Sequence, residues 1–97
     1  MYLVRDVFHA KPGKAKDLVA RFKQASPLMA RLGLAPVRVL TDAVSGYWTV
    51  VIETEVEKLD SYLDRARGMG GDPELGRIMQ GYMDLVEGGH REVFRIE

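Results

Sequence analysis

Hydrophobic and polar positions change period several times along the chain, and each change marks an element. Tyr2-Leu-Val-Arg-Asp-Val-Phe-His9 is rich in β-branched and aromatic residues and stops at Lys11-Pro12-Gly13-Lys14, a turn signal, so it predicts a strand. From Lys14 the period becomes helical. Leu18, Phe22, Ala25, Met29 and Leu32 recur every three or four residues as one apolar stripe, while Lys14, Lys16, Arg21, Lys23 and Arg31 form a basic face. Pro27 predicts a kink or break near Ser26, because proline lacks the amide hydrogen a helix interior uses; Gly33 suits the helix end. Val37 to Asp42 and Tyr47 to Glu53 predict two strands of a hairpin around the turn cluster Asp42-Ala-Val-Ser-Gly46. Thr54 and Glu57 have capping-box spacing, which predicts a helix start there, with Val56, Leu59, Leu63 and Ala66 as its stripe. Gly68-Met-Gly-Gly71 interrupts the helix as a hinge or lid. Asp72 as cap and Pro73 at the first helical position restart it, with Leu75, Ile78, Met79, Tyr82 and Val86 as stripe. Gly88-Gly89 ends that piece, and His90 to Glu97 predicts a closing strand.

The order β-α-β-β-α-β is the ferredoxin-like α+β arrangement, an antiparallel sheet with helices on one face, and it occupies residues 1–97 as a single domain. In that topology the first and third strands are central and the fourth lies beside the first. The strands supply apolar side chains to both faces (Leu3, Val4, Val7, Phe8, Val50, Val51, Ile52, Val93, Phe94 and Ile96), yet helices cover only one. An apolar face of that extent is rarely left in water, so the pattern predicts a homodimer through the sheet.

Composition narrows the function classes. The chain is 46% hydrophobic and 29% charged with net charge zero, an ordinary globular balance that gives no global attraction to nucleic acid or an anionic membrane. It has no cysteine, hence no disulfide, thiolate metal site or cysteine nucleophile. With no membrane-length apolar run and no signal-peptide pattern, a cytoplasmic location is expected. The zero is a sum of opposites. Residues 1–40 carry a net +6 and residues 41–97 a net −6, which predicts attraction between the two helical segments or across a dimer.

Candidate chemistry is sparse. His9 and His90, the only histidines, fall at adjoining ends of neighbouring strands, where a pair of imidazoles suits proton transfer. They lack a third ligand and no HxxxH spacing exists, so no metal is expected. Arg5 and Asp6 are adjacent in a central strand and face opposite sides; one of them is a candidate to orient a substrate in a cavity, the other reading being ion pairs with Glu53, Glu92 or Arg95. Tyr47 and Trp48 open the third strand on opposite sides, which offers one as an aromatic platform for a flat ligand and the other to packing. Tyr62, Tyr82, Met69, Met79 and Met83 read as core or cavity rim. The glycine run follows a helix and not a strand, and Gly13-Lys14 is followed by Ala15, so neither is a phosphate loop. The element order also describes RNA-recognition modules, but Ser45-Gly-Tyr-Trp-Thr-Val50 has Thr49 where a second aromatic belongs.

His9-Ala-Lys-Pro-Gly-Lys14 before a long helix, Ser26-Pro-Leu-Met29 with Gly33, the Tyr47-Trp48 hairpin and Ile52-Glu-Thr leading into a helix together resemble the dimeric α/β-barrel superfamily, which contains antibiotic-biosynthesis-type monooxygenases and NIPSNAP-like proteins. The resemblance implies two sheets facing each other around a small cavity. It also implies a monooxygenase-like or isomerase-like enzyme, acting without a bound organic cofactor on a small aromatic or carbonyl compound in that barrel cavity. Arg5, Asp6, His9 and His90 are then the catalytic candidates, and Tyr47 and Trp48 the substrate-binding ones. The haem-degrading branch uses an asparagine, and this sequence has none. The alternative from another class is a ligand-binding or regulatory domain of the amino-acid-effector type, which shares the topology and a glycine-aromatic turn, here Ser45-Gly46-Tyr47.

Overall fold

The computed structural model describes residues 1–44 and 46–97. Seven elements follow in order: β1 (Tyr2–Ala10), α1 (Ala15–Arg31), β2 (Arg38–Thr41), β3 (Thr49–Val56), α2 (Leu59–Gly68), α3 (Pro73–Ile78) and β4 (Val86–Arg95), with 3₁₀ turns at Met69–Gly71 and Tyr82–Leu85. The four strands form one antiparallel sheet in the order β2-β3-β1-β4, the ferredoxin-like topology expected. In the register Asp6 opposes Ile52 on one side and Arg91 on the other.

Strand alternation divides β1 cleanly. Val4, Phe8 and Ala10 turn toward the helices, where Leu18 and Phe22 of α1 and Val50 of β3 complete the core. Phe8 and Phe22 meet with ring centroids 5.2 Å apart and planes tilted by 40°. Leu3, Arg5, Val7 and His9 turn to the face no helix covers.

Several boundaries differ from the sequence pattern, each for a local reason. α1 runs unbroken through Pro27, because its buried stripe of Leu18, Phe22, Ala25 and Leu28 holds the backbone in place. Leu32, expected in that stripe, is exposed beyond the helix end. α1 closes on Gly33 at φ +93°, where the Gly33 amide donates to Ala30 O at 3.1 Å and Leu34 to Met29 O at 3.1 Å, a Schellman closure that needs a left-handed residue. Thr54 does not cap a helix. It is buried inside β3 and donates its hydroxyl to Pro36 O at 2.8 Å, so Val56 also belongs to the sheet and α2 begins at Leu59. Asp72 does cap α3, accepting from the Leu75 amide at 2.9 Å. That helix stops at Ile78, because Gly81 takes a left-handed φ of +76°. The strand expected from His90 therefore starts at Val86, and Gly88 and Gly89 lie within it. A register shift beside His9 leaves one extra residue in β4 between Val86 and Gly88.

Candidate functional site

The side chains of Arg5 and Asp6 define two different surfaces. On the helix side, the Arg91 Nε donates to Asp6 Oδ1 at 2.6 Å, with Nη2 at 3.4 Å from Oδ2. This ion pair is the polar feature of a cleft of about 410 Å³ between the sheet and the helices. Phe8, Phe22, Tyr62 and Tyr82 give the cleft aromatic walls, and Met29, Met69 and Met79 add flexible thioethers that adapt to a ligand's shape. Burial pushes the Tyr62 phenol above the usual tyrosine range; the Asp6 carboxylate pushes it the same way and Arg91 opposes. The hydroxyl therefore stays a hydrogen-bond donor through the neutral range. The hydrogen bond that Arg91 donates to Asp6 raises the pKa of its guanidinium above the ordinary arginine range, so that group is a permanent cation.

The uncovered face carries a charged line across the strands. Arg5 lies 3.4 Å from Glu53 and 3.6 Å from Glu92, Arg38 also bonds Glu53, and His90 Nε2 sits 3.1 Å from Glu92. Glu53 is only 8% exposed beneath these arginines. The His9 and His90 rings stand 6.1 Å apart in a groove of about 500 Å³ beside the β2–β3 loop. Among the described residues no group of three or more His, Asp or Glu is placed to hold a metal ion. The centre of this face is thus an ion-pair network with apolar positions around it, and not the continuous apolar surface the strand pattern suggests.

The six predicted site residues are accordingly dispersed. Asp6 alone reaches the cleft. Arg5, His9 and His90 lie across the sheet from it, with Arg5 in the ion pairs named as its other reading. Tyr47 and Trp48 are not in β3, which starts at Thr49. They occupy the turn before it, 87% and 42% exposed, and Trp48 holds a φ of +62° that no strand residue adopts. Its carbonyl accepts from the Ala10 amide at 2.8 Å, while Thr49 is held by the Asp42 carboxylate at 2.9 Å. The pattern Ser45-Gly46-Tyr47 depends on Ser45, which lies outside the described residues. No local sequence pattern marks Arg91 as a site residue, and the helical stripe places Tyr62 only in core or rim. The β1–β4 register would reveal Arg91 opposite Asp6, but that register depends on the extra residue near Val86.

A larger depression of about 640 Å³ lies at the start of α2 between Glu55, Glu57, Lys58 and Arg65. Its lining is charged with both signs, and Arg65 Nη1 is engaged by Gly33 O at 2.7 Å. The smaller cleft combines an apolar body with a few convergent polar groups, the usual composition of a small-molecule site.

No family model matches the sequence, and no curated protein does. Solved structures match its fold throughout. A NIPSNAP family protein from Agrobacterium tumefaciens superposes with a TM-score of 0.85 over 99% of this chain and 92% of its own, at 10% identity. A NIPSNAP domain protein of unknown function from Burkholderia xenovorans gives 0.83 over 100% and 95% at 11% identity, and an antibiotic biosynthesis monooxygenase gives 0.73 over 100% and 99% at 12%. The chain therefore has the small α+β fold shared by NIPSNAP-like and monooxygenase-like domains, as the sequence resemblance implies. Among the described residues no helix is long and apolar enough to cross a membrane.

Proposed function

We propose that the protein is a small enzyme of monooxygenase-like or isomerase-like type acting on a compact aromatic or carbonyl compound in the cleft between sheet and helices. One observation carries this reading: the Asp6–Arg91 pair sits in an otherwise apolar, aromatic-walled cleft beside a protonated Tyr62. Asp6 is the base. Oδ2, held by Arg91 only through the longer contact at 3.4 Å, keeps a lone pair to accept a proton from the carbon next to a carbonyl or from a phenol. Arg91 and the Tyr62 hydroxyl then stabilise the oxygen that becomes an enolate or phenolate. In the isomerase form, Asp6 returns the proton to a different carbon. In the monooxygenase form, dioxygen attacks the carbanion, one oxygen atom replaces the two hydrogens of a CH₂ as a carbonyl, and the other leaves as water. The monooxygenase-type neighbour supports this class by its fold alone.

A homodimer through the helix-free face belongs to the same reading, with Arg5, His9 and His90 between the sheets. The test uses protein labelled at its methionine methyls and titrated with 2-naphthol, a flat hydroxyaromatic probe. Met29, Met69 and Met79 line the cleft, whereas Met1 does not, so the first three methyl signals shift and Met1 stays. Asp6→Asn abolishes substrate-derived proton exchange or oxygen uptake by about a hundredfold or more while those shifts persist. Absence of any cleft methyl shift with hydroxyaromatic and enolisable probes overturns the site. Binding without turnover across the panel favours the ligand-binding alternative.

A further inference from the structure

We infer that the segment from Asp72 to Ile78 is a flap that swings on Gly70 and Gly71 to admit ligand to the cleft, whose near wall is Met69. Glycine is costly in a helical turn unless a positive φ or a close approach demands it. Here neither demand exists. Gly70 and Gly71 have no positive φ, and a Cβ added to either meets no heavy atom within 4 Å. In the closed arrangement alanine fits both positions, as it does at the neighbouring Gly68, so the glycine cluster leaves the junction between α2 and α3 free to bend.

The attachments of the segment show how it moves. At its far end Arg21 of α1 donates to the carbonyls of Ile78, at 3.2 Å, and Gln80, which pins the end of α3 beside the left-handed Gly81. At its near end the chain continues from α2 through the two glycines. Between these ends side chains hold it down: Leu75 in the cleft wall, the half-buried Ile78, the packing of α3 on α1, and an exposed Arg31–Glu74 contact at 3.9 Å. Swinging the segment out exposes the cleft at the cost of the Leu75 packing, the contact of α3 with α1 and one weak ion pair, and leaves the pairing of the sheet untouched.

The gating role rests on the cleft being the ligand site, but the motion itself is measurable without ligand. Methyl relaxation dispersion on the free protein shows microsecond-to-millisecond exchange at Met69 and none at Met29, which α1 holds. Gly70→Ala and Gly71→Ala together raise Tm, suppress the Met69 exchange, and slow both association and dissociation of 2-naphthol by about five- to tenfold, with Kd little changed. Glu74→Ala speeds both rates. A silent Met69, or Met69 exchange that survives both alanines, overturns the flap. If 2-naphthol fails to bind, the functional reading falls, and the Met69 measurement still decides the flap.

Discussion

Arg5 and Asp6 are neighbours in sequence with different surroundings, because a strand turns successive side chains to opposite faces. Arg5 sits between two glutamates, and Asp6 pairs with one arginine near a half-buried tyrosine. That tyrosine reports on the site. Because the folded state raises the Tyr62 pKa, its phenol stabilises the fold fully below the unfolded tyrosine value of about 10, and this contribution is lost as pH rises through the folded pKa. Spectrophotometric titration of phenolate formation is expected to show one tyrosine of the four ionising late. In Asp6→Asn the carboxylate's upward push is removed and the downward influence of Arg91 remains, so this late transition moves to lower pH. A transition unmoved by the substitution would separate Tyr62 from the Asp6–Arg91 pair. Sequence legibility at this scale was partial. The opposition of Arg5 and Asp6 follows from alternation alone, but the partner of Asp6 depends on strand register, which no local pattern encodes. Tyr47 and Trp48 read as strand residues because aromatics favour strands, whereas a hydrogen-bonded turn places them outside the sheet.

At the scale of elements, helix and strand identities were legible wherever an apolar stripe was long, as in α1, β1 and β3. Short segments were not, since the competing signals came from tertiary partners. The Thr54 hydroxyl bonds Pro36 in place of a helix start, and the stripe read through Tyr82 and Val86 is split among a helix, a 3₁₀ turn and a strand by Gly81. Two substitutions test this account. Leu18 is fully buried between α1 and the sheet, so Leu18→Ala is expected to lower unfolding free energy by about 2–5 kcal/mol in denaturant titration. Gly89 backs onto the Val7 carbonyl so closely that a Cβ would collide with it. Gly89→Ala therefore destabilises the β1–β4 pairing by about 1–3 kcal/mol, unlike alanine at Gly88, which meets nothing. Equal effects at the two glycines would contradict this register.

The whole molecule is a slab, 36 × 35 × 19 Å, one layer of helices on one sheet. The charge asymmetry of the sequence is resolved mainly inside that sheet. Arg5 and Arg38 from the first part of the chain meet Glu53 and Glu92 from the rest, whereas Asp6–Arg91 pairs in the opposite sense and one exposed contact, Arg31–Glu74, links the helices and is worth at most about 1 kcal/mol. The proposed dimer covers the network and the 49%-exposed Phe94 on the same face. Light scattering at micromolar concentration is expected to give twice the 10.9 kDa chain mass, and Phe94→Asp to halve it while circular dichroism stays unchanged. A wild-type monomer would remove the dimer.

The ten-residue β4 lies at the end of the strand order, so one side of its backbone has no neighbouring strand. A border that long is a template on which another chain can add a strand and seed a fibril. Glu87, Arg91, Glu92 and Arg95 interrupt it with charge, and its glycine pair gives an incoming strand no side chains to interlock with. Propagation from that border is thereby disfavoured even at high protein concentration. Neutralising these four positions together, with the core untouched, is the change that would convert a well-behaved domain into an aggregating one.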